Sequence, residues 1–498
     1  HQETKNLFIS HLKYKNGVQT LAFTLSRKMA ELQALWVRKA LPYIKDKIFS
    51  YRAGINKKKR REIEQKFKAK EILGISSTNA LELGIDIGSL DATISSGFPG
   101  TISSLRQQIG RSGRGTGLSI STYIPMQNPL DLFYVHNPKY LFGPIQEELL
   151  ISLNNTYILK NHLCCASKEI PLTIEDHLQF EIQDREKFRN LLEELKLESL
   201  LMERGNKYYW KGDFFPNEKF GLEDLSNKSY KVVFYSDSGE QTLTVEDESY
   251  VFRDLHPGAI YLYEAETYIV NELDIPNRMV YVSRRDVEYY TQSLKHTRIY
   301  PLHVDSTKII GPNKNIESCF GEVKVEHEYY AYKVIDTLTQ ETISRNPLDD
   351  IPLIEFETQA VWFEIPFDLQ KQLESEDYDL GGTIHAIEHA MIAMAPALAQ
   401  ISRWDLGGVS IDFDPVKQNP IIYIYDAYRG GIGISELLYE KLEELMVLTA
   451  KLISTCSCRT PNGCPACCLS PRCGNNNEPL DKKGANFLLN KLLKIENL

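Results

Sequence analysis

No run of about 18 apolar residues occurs in the sequence, so no membrane-spanning helix is expected. The opening HQETKNLFIS has no basic segment leading into an apolar core, which argues against a secretory leader. Positive charge is not in excess. The 57 Lys and Arg residues face 67 Asp and Glu, and the net charge of −10 argues mildly against a surface coated in nucleic acid. A local basic stripe is compatible with that balance. No repeat of about 20–50 residues and no low-complexity tract is present. A hydrophobic content of 42% with 25% charged residues excludes a collagen-like or wholly disordered chain. Cysteine is sparse outside one tract: six of the nine lie between Cys456 and Cys473. In a chain of 498 residues without a leader, a disulfide scaffold is the wrong explanation for that crowding. Cys164, Cys165 and Cys319 read as ordinary core or surface thiols. No G-x-x-x-x-G-K-[ST] phosphate loop occurs anywhere. The first residue is His1 rather than Met, read here as the mark of a processed, cut or truncated chain.

At about 150 residues per domain the length predicts about three domains, and the texture divides it into four segments. In residues 1–141, TLAFTL, KIFSY, EILGISST and ATISSGF read as buried strands alternating with helices, the pattern of an α/β parallel sheet. Residues 142–228 hold linker helices and then REKFRNLLEELKLESLLMERGNKYYW, a helix of period 3.6 before a short turn and an aromatic strand, the outline of a winged helix. Residues 229–310 are a β-rich connector (YKVVFYS, AIYLY, TYIVNEL, MVYVS). In residues 311–498, an α+β unit, TIHAIEHAMIAMAPALAQIS and ISELLYEKLEELMVLTAKLIST read as two long helices, the second running into the cysteine tract.

Two patterns carry chemistry. In QQIGRSGRG, Arg111 and Arg114 stand three apart between glycines that allow close backbone approach. Arginine's planar fork suits the spread charge of a phosphoryl group in transfer; the bland alternative is a solvated basic turn. Upstream, STNALELGIDIGSLDATISSGFPGT places Thr78 and Asn79 after a strand and Gly84 and Asp86 in a turn. These segments resemble motifs V and VI of superfamily-two helicases, and TLAFTLSRKMAEL resembles motif IV, the three together forming that family's second RecA-like domain. The resemblance implies arginine fingers at Arg111 and Arg114, with Gln107 or Gln108 contacting phosphate or water. It implies nucleotide contacts at Gly84 and Asp86, and nucleic-acid contacts at Thr24, Ser26, Arg27, Thr78 and Asn79. The phosphate loop and acidic metal box of such an enzyme belong to its first RecA-like domain, so this chain is expected to carry half of a Mg–ATP site and not to hydrolyse ATP alone. The run from Lys57 to Arg61, preceding a helix that continues to Lys70, is either solvated charge or the lining of a strand-binding groove.

The second pattern is CSCRTPNGCPACCLSPRC. Its C-x-C-x5-C-x2-C spacing, with a Gly463-Cys464-Pro465 turn, suits a tetrahedral thiolate site, usually zinc and less often iron–sulfur. Cys456, Cys458, Cys464 and Cys467 are the expected ligands, Cys473 is the reserve, and Cys468 points away. His385 and His389, four apart on a helix, suggest a metal pair, but no third ligand is evident nearby, so packing is the expectation. The tail from LGGTIHAIEHAMIAM through IYIYDAYRGGIGISELLY to CGNNNEPLDKKGA resembles the metal-binding domain of MrfA-type helicases, DEAD/DEAH-box DNA helicases tied to mitomycin-damage repair in bacteria. LKNHLCCASKEIPL, YVFRDLHPGAIYLYEAETYIVNELDI and RDVEYYTQ extend that resemblance over nearly the whole chain. It implies ATP-driven 3′ to 5′ movement on single-stranded or 3′-tailed DNA by a cytoplasmic, nucleoid-associated bacterial or archaeal protein. A monomer with no membrane partner, completed by the first RecA-like domain, is expected. The alternative is a non-catalytic DNA- or partner-binding protein with a degenerate RecA-like fold and a zinc module.

Overall fold

The computed structural model describes residues 2–494 apart from 15–16, 52–56, 84–87, 89, 114–116, 145–148, 154, 219–227, 237–238, 264–265, 314, 337–338, 340 and 472. The first unit is a parallel sheet of β1 (Thr20–Thr24), β2 (Ile48–Tyr51), β3 (Gly74–Ser77), β4 (Ala92–Ser96) and β5 (Ile120–Ile124), in the order β2-β3-β1-β4-β5. Every pairing in it is parallel. The central strands are buried along their whole length because helices cover both faces. Alternation along β1 divides the two cores. Leu21 and Phe23 meet Ile63 and Phe67 of α3 (Lys57–Lys68), while Ala22 meets Phe8 and Leu12 of α1 (Gln2–Lys13) and Val37 of α2 (Arg27–Ala40). The basic residues of α3 thus lie opposite an apolar edge only two residues wide, Ile63 and Phe67.

The second unit packs helices Thr156–Glu169 and Arg185–Leu197 against a hairpin of Leu201–Arg204 and Lys207–Trp210. Asp184 caps the second helix by accepting from Glu186 N and Lys187 N, and Gly205, at φ +62°, opens the hairpin turn. Phe188, Leu192, Tyr208 and Trp210 fill the core, giving the expected winged-helix outline. A five-stranded sheet follows, from Ser229 to Arg284.

The last sheet is antiparallel and is dominated by a hairpin of two long strands, Tyr289–Ile310 and Ile316–Asp336. The hydrogen bonding therefore changes sheet between 284 and 289, whereas the expected segment limit at 310 falls inside this hairpin. On one face of the sheet lie helices Leu380–Met394, Leu442–Thr455 and Lys482–Leu493. Both long helices of the sequence reading are shorter than expected. The first ends at Met394, where a short 3-10 turn, Ala395–Ala397, carries Pro396. The second breaks at Lys441, φ −100° and ψ 22°, into Ile434–Glu440 and Leu442–Thr455. Among the described residues no helix is long and apolar enough to cross a membrane.

Two further features position the units. One apolar core runs from Phe98, Leu105, Phe133 and Tyr134 of the first unit into Ile384, Met391, Leu445 and Leu488 of the last. Asn155, which caps helix Thr156–Glu169, donates to the carbonyls of Arg429 (2.8 Å) and Gly431 (2.5 Å), tying the winged helix to the same body. The turn it grips is organised by buried Asp426, whose carboxylate accepts from Ile432 N, Ile434 N, Ser435 N and Ser435 Oγ at 2.6–3.2 Å. Replacing Asp426 by alanine strands these donors in the interior. The expected loss is about 3 kcal/mol of stability, read as a lower midpoint in urea denaturation; an unchanged midpoint contradicts the assignment.

Candidate functional site

The carboxyl ends of parallel strands are where α/β sheets present ligand-binding groups. Thr24 ends β1 and is buried; its hydroxyl donates to Ser77 O at 3.3 Å, locking the ends of β1 and β3 together. Ser26 caps α2, its Oγ accepting from Met29 N at 3.2 Å. Arg27 opens that helix, and its side chain lies outside the described set. Thr78 follows β3 directly, with its N–H donating to Tyr51 O, and Asn79 begins a single 3-10 turn, Asn79–Leu81. Thr24, Ser26, Thr78 and Asn79 therefore share one edge of the sheet. Gly84, Asp86 and Arg114 fall outside the described residues.

The other side of this edge is α4 (Ile102–Ile109), capped by Thr101. Gln108 is buried, and its amide donates to Glu82 Oε2 at 3.0 Å. Ser104 Oγ donates to the same oxygen at 2.6 Å. Arg111, only 5% exposed, donates through Nε to Glu82 O at 2.8 Å and through Nη2 to the same carbonyl. In the structure the Arg111 guanidinium grips the turn after β3. Gln107 and Gln108 each keep a buried side-chain oxygen without a partner among the described residues. Glu82, which no motif argument singled out, is the junction of the segment after β3 with α4. Its sequence signal is a charged residue between Leu81 and Leu83.

The loop after β4 is fixed from behind. Gly97 has φ +86°, and a Cβ there would lie 2.7 Å from Leu25 Cδ1, so only glycine fits. Buried Asp131, on helix Pro129–His136, accepts from Phe98 N (2.9 Å), Met126 N (3.1 Å) and Tyr123 OH (2.5 Å). Burial raises the Asp131 carboxyl above the usual carboxylate range, and these donors oppose it.

The cysteine tract follows helix Leu442–Thr455. The sulfurs of Cys456, Cys458, Cys464 and Cys467 all lie within 4.8 Å of one another. The Sγ–Sγ distances are 3.6 Å for Cys456–Cys464, 3.7 Å for Cys458–Cys467 and 3.8 Å for Cys464–Cys467. Four thiolates around one zinc at about 2.3 Å are separated by about 3.8 Å, so the donor set and its spacing fit zinc. Cys464 N donates to Cys467 Sγ at 3.1 Å, the turn bond of a metal knuckle. Gly463, at φ +81°, admits it, since a Cβ there would sit 2.8 Å from Cys468 Cβ. Lys482 Nζ bonds the carbonyls of Cys456 and Cys458 and reaches Cys458 Sγ at 3.2 Å. Burial would raise the Cys458 thiol, but the Lys482 ammonium and the Thr460 hydroxyl draw it down to about 6. Cys468 is buried and is not one of the four, and Cys473 lies elsewhere, against His385.

Glu82→Ala removes the acceptor of Ser104 and Gln108. Amide exchange across α4 is expected to accelerate roughly tenfold, equivalent to about 1.4 kcal/mol, by hydrogen-exchange mass spectrometry. Unchanged exchange would show that Glu82 is not the junction.

Comparison with known proteins agrees with this geometry. The helicase conserved C-terminal domain matches residues 3–116, the winged helix domain of ATP-dependent helicase HRQ1 matches 151–219, and the MrfA Zn-binding domain matches 387–468. The chain is 32% identical over 462 residues to Bacillus subtilis YprA, named an uncharacterized ATP-dependent helicase, covering 91% of this chain and 59% of that protein. It is 30% identical over 499 residues to the ATP-dependent helicase hrq1 of Schizosaccharomyces pombe, covering 96% of this chain and 46% of that one. The solved structure of the helicase MrfA bound to DNA and AMPPNP superposes with a TM-score of 0.60 at 30% identity, covering 98% of this chain and 62% of that one. The chain thus spans about half to three fifths of the length of these relatives. With a helicase C-terminal domain, a winged helix domain and a MrfA Zn-binding domain matched in that order, the chain is similar to the MrfA-type helicases over nearly its whole length.

Proposed function

We propose that this chain supplies one wall of the ATP cleft and one side of the nucleic-acid path of an ATP-dependent 3′ to 5′ DNA helicase acting in DNA repair. The observation that carries the proposal is the convergence of Thr24, Ser26, Thr78, Asn79, Gln108 and Arg111 at one edge of a parallel sheet. The first RecA-like domain of such an enzyme, bearing the phosphate loop and the acidic metal box, provides the facing wall. Nucleotide and Mg bind between the two. Arg114 meets the γ-phosphoryl group, where a fixed guanidinium stabilises the charge that spreads over the transferring oxygens. Arg111 helps from beside it, its bonds to Glu82 holding the arginine segment against the turn after β3. Gln107 and Gln108 contact phosphate or water, and Gly84 and Asp86 approach the nucleotide. Thr24, Ser26, Arg27, Thr78 and Asn79 contact the backbone of a single-stranded or 3′-tailed DNA, and the basic surface of α3 adds salt-dependent affinity.

Zinc, held by Cys456, Cys458, Cys464 and Cys467, is structural, because four thiolates leave no position for a reacting water. The functional units are the RecA-like unit, the winged helix, the five-stranded sheet ending at Arg284 and the zinc-binding unit that begins with the long hairpin, and the protein works as a cytoplasmic, nucleoid-associated monomer. The family's solved DNA and AMPPNP complex supports this reading.

Arg114→Ala, introduced into the protein together with its partner RecA-like domain, is expected to lower ATP turnover by about 10³-fold or more while leaving DNA affinity nearly intact. Turnover equal to the parent sinks the finger assignment and favours a non-catalytic DNA- or partner-binding protein.

A further inference from the structure

We infer that His385, His389 and Cys473 form a second metal site, a three-donor zinc site distinct from the four cysteines. Helix Leu380–Met394 is buried on nearly every residue, and its two histidines lie one turn apart with ring centroids 4.3 Å from each other. Sequence spacing offered no third ligand, because Cys473 is 84 residues beyond His389 in the chain. The fold brings it back: one ring nitrogen of each histidine and Cys473 Sγ lie within 4.8 Å of one another.

The orientation of the rings is that of metal ligands. His385 Nδ1 contacts Pro479 O at 2.7 Å and His389 Nδ1 contacts Cys468 O at 2.8 Å. A carbonyl can only accept, so each Nδ1 carries the proton and each Nε2 keeps its lone pair. Backbone carbonyls fixing the far nitrogen in this way are the usual outer support of a histidine ligand. His385 Nε2 stands 3.4 Å from Cys473 Sγ. Nitrogen at about 2.0–2.1 Å and sulfur at about 2.3 Å on one tetrahedral zinc are about 3.5 Å apart. A simple thiol–imidazole hydrogen bond would explain that distance, but it would use one histidine and leave the convergence of the other unexplained.

Two imidazoles and a thiolate select a borderline or soft cation, zinc first, and disfavour magnesium and calcium, which want oxygen. Binding releases the Cys473 proton to solvent, and the sulfur donates its lone pair; no electron transfer is involved. Glu388, between the two histidines in sequence, is turned to Ser410 and is not a donor. Three protein ligands leave a fourth position, which opens on a cleft of about 840 Å³ that Arg403, Ser470 and Asn475 also line, and water completes the shell. The metal would clamp the loop between Cys468 and Pro479 onto the buried helix. The two sites adjoin through one peptide: Cys467 is a ligand of the first, and the carbonyl of Cys468 orients His389 of the second. The zinc-binding domain match ends at residue 468, short of Cys473.

The test is elemental analysis of the chain, purified without chelator, together with zinc K-edge absorption. The expected result is about two zinc ions per chain with a mixed first shell of sulfur and nitrogen. Cys473→Ser and His389→Gln are each expected to hold about one zinc, with a first shell of sulfur alone. One zinc per chain in the unmutated protein with a sulfur-only shell overturns the proposal, and this reading does not depend on whether any variant folds.

Discussion

Burial of helix Leu380–Met394 is the constraint on which the other features depend. With almost no polar face, the helix can exist only inside a core, and that core is assembled from both ends of the chain. The RecA-like unit contributes Phe98, Leu105 and Phe133, and the C-terminal unit contributes Met391, Leu445 and Leu488. The RecA-like sheet edge and the cysteine knuckle therefore belong to one packed body. Packed interiors transmit displacement because they have little free volume to absorb it.

A chain of direct contacts joins the two ends. Cys456 immediately follows helix Leu442–Thr455. On that helix Lys451 Nζ donates to Asn137 Oδ1 at 2.6 Å, at the end of helix Pro129–His136. Asp131 of the latter helix holds Phe98 N and so fixes the loop after β4. Through these groups a metal that anchors Cys456 also steadies the rear of the RecA-like edge. At the front, Glu82 draws Ser104, Gln108 and Arg111 onto the turn after β3.

Where local pattern determines structure, the sequence was legible. The buried strands of the parallel sheet, the helix–turn–strand of the winged helix and the four-cysteine knuckle each depend on neighbours within a few residues. Spacing placed Cys456, Cys458, Cys464 and Cys467 together, as the sulfur distances have them. What escaped depends on long-range pairing. The hairpin of Tyr289–Ile310 and Ile316–Asp336 is half charged and polar on its exposed face, so its strands do not announce themselves by apolar runs. Cys473 was taken as a spare for the knuckle because proximity in sequence was the only guide; its partner is a histidine across the fold. Arg111 was recognised by its motif, but its bond to a main-chain carbonyl of Glu82 has no sequence signature.

Hydrogen-exchange mass spectrometry before and after zinc is stripped by a strong chelator tests most directly whether the metal end and the RecA-like edge are one body. Peptides covering Phe98–Leu105 and Pro129–Leu141 should lose protection together with those around Cys456–Cys467, although none of them ligates metal. Protection lost only around the cysteines, with the helix Pro129–His136 and the loop after β4 unchanged, would contradict it.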